Sequence, residues 1–299
     1  MTAADLAAEA SSITRGQPRS GAFRPRRRLR PRTVILALVA YVIALIFLLP
    51  YVEMVITALR PSNELLARGY VPKHWDWSNF SSIWKAGFDQ NLEASLKVAG
   101  GATLLVLIVA LPAAYYTARK RFRGRAVFLL LVLATQMFQP AAMLVGIQRE
   151  FTNFNLGNPL YSLILVNAGF NLAFATWIMN AYFASIPAEL EEAAMVDGTS
   201  RVGALFRITL PLAAPGIVTS IIFTFIGAWN ELLVALTFTS GEPNSRQPLT
   251  VNLDSYIGQY SIEWGHVFAG SVIATIPVII LFAIIEGKVV GGLTAGSIK

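Results

Sequence analysis

Seven side chains stand out among the polar and aromatic residues inside long apolar stretches of the chain. Gln136 and Gln139 lie three apart, and Asn167 and Asn171 lie four apart. On a helix, residues at either spacing share a face. Trp177, Thr224 and Asn230 complete the set. Amides and a hydroxyl donate and accept hydrogen bonds without charge, and an indole offers a flat apolar surface. This chemistry suits a neutral, hydroxyl-rich solute, and it equally suits hydrogen bonds between membrane helices. It does not suit acid–base catalysis. The nearest carboxylates, Glu53, Glu231 and Glu286, sit at the ends of apolar stretches, and neither His74 nor His266 lies within one. A membrane-embedded enzyme needs a nucleophile with its base, or a pair of acids, inside the spans. A proton-coupled carrier needs a titratable relay there. Neither is visible. The absence of cysteine removes disulfides, thiolate metal ligands and thiol nucleophiles.

A second group of residues is charged and compact. "EEAAMVDGTSRVGALFRITLPLAAPG", residues 191–216, interrupts the apolar second half of the chain. Pro187 suits the first turn of a helix, and Glu189, Glu191 and Glu192 favour its positive end. Gly198 suits the left-handed residue that ends such a helix. Thr199 or Ser200 can cap a second short helix, which Pro211 breaks. Val202, Leu205 and Phe206 are expected on one face of that second helix. The pattern predicts two short helices joined at a glycine elbow, with an apolar knob beside charges. Such a surface fits a protein partner, with lipid headgroups as the alternative.

The elements that position these residues follow from composition. The chain has 299 residues, 55% hydrophobic and only 14% charged, and its mean hydropathy is +0.57. Soluble domains carry about 25% charged residues. Uncharged runs occupy residues 33–52, 98–118, 126–148, 151–188, 208–230 and 267–285, with the helical part of the fourth starting near Pro159. Each can cover about 30 Å of hydrocarbon at about 1.5 Å per residue. Unpaired backbone is not tolerated in lipid, so the expected fold is all-α and polytopic, with six transmembrane helices. Lys and Arg concentrate in residues 24–32 and in "ARKRFRGR", residues 118–125. Cationic connections stay on the cytoplasmic side. Both termini and residues 191–216 are therefore expected in the cytoplasm. These charges set topology rather than bind nucleic acid. Residues 1–32 read as a disordered basic tail. Trp75, Trp77 and Trp84 read as interfacial anchors in a partly ordered cap outside the membrane. Glu231 falls about 28 Å along the fifth helix from Leu212, where a gate contact or an ion pair is expected.

Glu192-Ala193-Ala194, Gly198, Ile208 and Leu210-Pro211, at these spacings, resemble the EAA loop of importer-type ABC permeases. Residues 174–198 and 225–240 resemble its carbohydrate-uptake branch, closest to the six-helix permease of the maltose-transporter type. The resemblance spans roughly residues 92–291, with a weaker match over the first helix, 33–58. One departure is "QNLEASLKVAG", residues 90–100, where Glu93 and Ala94 interrupt a polar pair common in the family. The resemblance implies a type I ABC importer transmembrane domain over 33–299, with the EAA loop at 185–211. It implies an inner-membrane subunit that forms the path for a di- or oligosaccharide, with an amino acid or polyamine as the alternative cargo. The implied partners are a second, different permease, two ATPase subunits, an extracytoplasmic sugar-binding protein and membrane lipid. ATP and magnesium are expected on the ATPase and no cofactor on this chain, which lacks a glycine-rich phosphate loop. Glu192, Ala193, Ala194, Asp197, Gly198, Val202, Leu205, Phe206 and Pro211 are the expected ATPase-coupling residues. Gln136, Gln139, Asn167, Asn171, Trp177, Thr224 and Asn230 are the expected path.

Overall fold

A computed structural model describes residues 31–61, 64, 69, 71–154 and 158–295. The basic tail and part of the Trp-rich connection lie outside the described residues. The chain divides into two compact units, Met1–Leu49 and Pro50–Lys299. The described part of the first is helical and continues as helix α1, Pro31–Ala58. Among the described residues everything regular is helical, apart from one isolated bridge between Ile257 and Ile262.

The second unit is built on a long helix, α3 (Phe88–Arg119), which follows the short α2 (Ser78–Lys85). Gly87 turns the chain between them at φ 94°. Ala94, Ala99, Ala102, Ala110 and Ala114 of α3 are buried. Small side chains let a neighbouring backbone approach closely, the usual means of packing helices where lipid gives no hydrophobic push. The neighbour is α6, Pro159–Ser185. A Cβ built on Gly101 of α3 would lie 2.8 Å from the Ile164 side chain of α6. The α6 start agrees with its sequence: Pro159 holds the first turn, and Asn158 Oδ1 accepts from the Leu160 amide at 3.0 Å. Helix α10 (Ala214–Trp229) packs on both, and the last helix, α12 (Trp264–Ala295), packs on α10.

Among the described residues, four helices are long and apolar enough to cross a membrane, over residues 32–58, 88–119, 159–185 and 264–285. The remaining two crossings differ from the expectation. The third is broken into α4 (Arg125–Ala134) and α5 (Pro140–Asn153), which meet at 96°. Gln139 precedes Pro140 and is extended, at ψ 128°, because the proline ring excludes helical backbone from the residue before it. The fifth is shorter than 208–230. Residues 208–213 belong to a bent connection, and α10 covers about 24 Å at 1.5 Å per residue.

On the far side of the molecule from residues 191–216, Asn79 of α2 donates to the carbonyls of Ala58 and Arg60, at 2.9 and 3.2 Å. This fixes the start of the Trp-rich connection. Trp75, Trp77 and Trp84 are exposed there.

Candidate functional site

The polar stretch folds as an elbow. Its first arm is α7, Glu189–Val196, with Glu189, Glu191 and Glu192 in the first turn and Pro187 just before it. The arm ends in a Schellman motif. The Thr199 amide reaches back to the Ala194 carbonyl at 2.9 Å, and the Gly198 amide reaches the Met195 carbonyl at 3.1 Å. Gly198 is left-handed, at φ 87°, and a Cβ there would meet nothing within 4 Å. The demand for glycine is thus conformational and not steric. Of the two candidate caps, Ser200 serves: its Oγ accepts from the Gly203 amide at 3.1 Å.

The second arm starts as α8, Arg201–Ala204, and widens into a π turn over Leu205–Thr209. The Leu210 amide closes that turn on the Leu205 carbonyl. A single turn, α9 (Leu210–Leu212), contains Pro211 and leads to Ala213, where the arm bends by 73° into α10. Pro211 cannot donate an amide to the ladder, yet the bend falls two residues later than expected. Val202 and Phe206 are 64% and 63% exposed, whereas Leu205 is half-buried, and Val202 and Leu205 both line a cavity beneath the elbow. The expected trio is therefore an exposed pair. Glu192, Ala193, Asp197, Gly198 and Pro211 are exposed, and Ala194 is buried.

The residue that fastens this elbow went unassigned in the sequence. Glu191, next to Glu192, is buried. Its Oε1 takes hydrogen bonds from Arg119 Nε at 2.8 Å and from the Thr209 hydroxyl at 2.6 Å. Arg119 Nη2 lies 2.7 Å from the same oxygen. Tyr115 Oη donates to Oε2 at 2.8 Å. Arg119 Nη1 also donates to the Ile186 carbonyl at 2.7 Å. Burial pushes the Glu191 carboxyl up, but the bonds from Thr209, Tyr115 and Arg119, with the Arg119 charge, outweigh it and hold the group below its ordinary value. Beside this node lies a cavity of about 420 Å³, lined among others by Tyr116, Lys120, Glu192, Met195 and Arg201. Two adjacent glutamates point about 100° apart on a helix, so one of them had to turn inward. Arg119, the last cation of its span, was the visible partner.

The seven membrane candidates do not converge. Gln136 and Gln139 lie on either side of the break in the third crossing instead of sharing a face. Gln136 Nε2 donates to the Phe170 carbonyl at 2.7 Å, while Gln139 is exposed. Asn167 is buried and donates to the Leu163 carbonyl at 2.9 Å. Asn171 does share its face, donating to the Asn167 carbonyl at 2.8 Å. A Cβ on Gly227 would come within 2.8 Å of Asn171 Oδ1, so this amide fills a notch in α10. Thr224 is buried in α10, and Trp177 is exposed on α6. Asn230 is exposed beside a cavity of about 320 Å³ lined by Tyr51, Trp229, Thr250, Ser271 and Thr275, among others.

Among the described residues Glu231 has no ion-pair partner. Its two carboxylate oxygens accept from the amides of Val234 and Ala235, at 2.9 and 3.0 Å. It caps the short helix α11, Leu233–Thr239. The Thr250 hydroxyl holds the Glu231 carbonyl at 2.8 Å. Asn230–Leu232 is thus a pinned break between α10 and α11.

A family model described as "Binding-protein-dependent transport system inner membrane component" matches residues 22–289. The chain is 35% identical to the sulfoquinovosyl glycerol transport system permease protein SmoH of Agrobacterium fabrum, over 84% of this chain and 89% of that one. It is 32% identical to the trehalose/maltose transport system permease protein MalG of Thermococcus litoralis, over 90% and 97%. It is 34% identical to the diacetylchitobiose uptake system permease protein DasC of Streptomyces coelicolor, over 86% and 93%. Among solved structures, a chain of a bacterial ABC transporter for import of the acidic polysaccharide alginate superposes with a TM-score of 0.71. It shares 23% identity and covers 87% of this chain and 97% of that one, a likeness of fold.

Proposed function

The chain belongs to the family of binding-protein-dependent transport system inner membrane components, and from that premise we propose that it forms the membrane path for a sugar in an ATP-driven ABC importer. It is a transport subunit and not an enzyme. The family description makes it a component of the inner membrane that works with a binding protein. The names of its relatives, which import glycosides and disaccharides, support a di- or oligosaccharide as the cargo.

One observation carries the mechanism. The elbow presents Glu192, Val202 and Phe206 outward on a surface that nothing among the described residues covers. In the proposed complex this surface seats in an ATPase subunit, and two ATPases hold ATP and magnesium. A second permease and lipid cover the exposed apolar faces of the membrane helices. ATP-driven closure of the ATPases draws the elbows together and turns the helices as rigid bodies, opening the path to the other side. Both termini and the elbow then lie in the cytoplasm, and the Trp-rich connection lies outside.

The test is reconstitution of the complete complex in proteoliposomes with its binding protein. ATP-dependent uptake of labelled disaccharides is the expected result, and uptake of amino acids or polyamines alone would overturn the sugar reading. A reporter fused after Lys299 should be active only in the cytoplasm, and one inserted at Gly241 only outside.

A further inference from the structure

The elbow has two covalent attachments to the membrane helices, an extended link and a bend. At one end Ile186–Ala188 links it to α6, with Ile186 extended at ψ 125°. At the other the chain bends at Ala213. Neither runs directly to α3, whose covalent path to the elbow passes through α4, α5 and α6. Glu191 ties the two by hydrogen bonds. Its carboxylate sits on α7 and is gripped by Thr209 of the π turn and by Tyr115 and Arg119 of α3. Arg119 in turn holds the Ile186 carbonyl, so the α6 link is gathered into the same node. Two helical turns up α6, Asn180 Nδ2 donates to Thr117 Oγ1 of α3 at 2.8 Å, and above that the two helices meet along buried alanines.

We infer that Glu191 is a positioning residue for transport: it fastens both arms of the elbow to α3, so that a push on the elbow moves α3 and α6 with it. The inference rests on the elbow being the ATPase dock. Glu192 and the exposed pair Val202 and Phe206 make the dock, and Glu191 makes the lever stiff. An elbow without the fastening still seats in the ATPase, but it shifts against α3 and spends part of the ATP-driven displacement in that movement.

Glu191→Gln is the discriminating variant. The amide keeps the shape and one acceptor oxygen for Thr209 and Arg119, and its NH₂ can face the Tyr115 hydroxyl as an acceptor. It removes the charge opposite Arg119. In the reconstituted complex, Glu191→Gln should retain both ATPases and basal hydrolysis, and should import at least tenfold less sugar per ATP. The reversed pair, Glu191→Arg with Arg119→Glu, should recover part of that ratio.

The chain has no cysteine, so two spin labels can be placed singly, at the exposed Glu189 of α7 and the exposed Leu104 of α3. In the wild type their separation should stay the same with and without trapped ATP. In Glu191→Gln it should broaden or shift on ATP binding. Wild-type coupling in Glu191→Gln, or a wild-type separation that itself changes with ATP, overturns the inference. Loss of the assembled complex in both Glu191→Gln and the reversed pair also overturns it, by assigning the node to assembly alone. A wild-type complex that imports no sugar at all would instead remove the functional reading on which the inference rests.

Discussion

A carboxylate lies near each end of helix α10, and the two carboxylates do opposite kinds of work. At its far end Glu231 accepts from Val234 and Ala235, three and four residues along its own chain. At the elbow end Glu191 accepts from Tyr115 and Arg119, more than 70 residues away in sequence, and from Thr209. The first shapes one break in one helix. The second fixes three elements relative to each other. A local acceptor can therefore be lost with local consequences, whereas loss of a shared acceptor or its cation leaves a buried charge and frees several elements at once.

The largest expected effect is at the shared node. Arg119→Ala strands the buried Glu191 carboxylate and should cost about 3–5 kcal/mol. Thermal unfolding of the purified complex should show it. If Arg119→Ala unfolds within a degree or two of the wild type, the contrast between the two ends is void.

Next comes the close approach near the far end. Gly227→Ala drives a Cβ into Asn171 Oδ1 and should cost about 1–3 kcal/mol by overpacking. Asn171→Ala in the same chain should relieve most of it. A double-mutant cycle that shows no coupling would mean that the notch does not set the α6–α10 distance.

A smaller loss is expected at the local cap. Glu231→Ala should cost about 1 kcal/mol. Faster hydrogen exchange should be confined to the amides of Val234 and Ala235 and their helix, with sugar uptake within twofold of the wild type. A loss as large as that of Arg119→Ala would make Glu231 a long-range residue too.

The smallest effect is with pH. The Glu191 carboxyl is held below its ordinary value of 4.5 when folded. Its stabilisation is therefore fully present above that value and is lost only as pH falls through the lowered one. The melting temperature of the complex should show no step from this node between pH 8 and about pH 5. A step in that interval that Glu191→Gln abolishes would contradict the depressed value.

What the sequence revealed and what it withheld divide along the same line as the two carboxylates. The apolar runs, the Pro159 start, the left-handed Gly198 and a cap at Thr199 or Ser200 are decided by neighbours in the chain, and all were readable from it. The break before Pro140 was readable by the same chemistry, but the uncharged run through it outweighed one proline. The cap by Glu231 is also local, and it was missed because depth in the membrane was weighed ahead of the amides that follow it. The Glu191 node was withheld for a different reason. Its donors come together only when α3 and the elbow are already folded side by side.

Helix α3 reaches past its apolar run at the far end, and the extension is tethered. Asn91 Nδ2 donates to the carbonyls of Asn244 and Gln247, at 3.1 and 2.8 Å, on the loop beyond α11. Arg119 is tied to the elbow about 42 Å away along the same rod, at 1.5 Å per residue. A molecule that binds by shifting that loop and one that binds by shifting the elbow therefore draw on one shared strain. Thermodynamic reciprocity then applies: whatever factor the first imposes on the affinity of the second, the second must impose on the first.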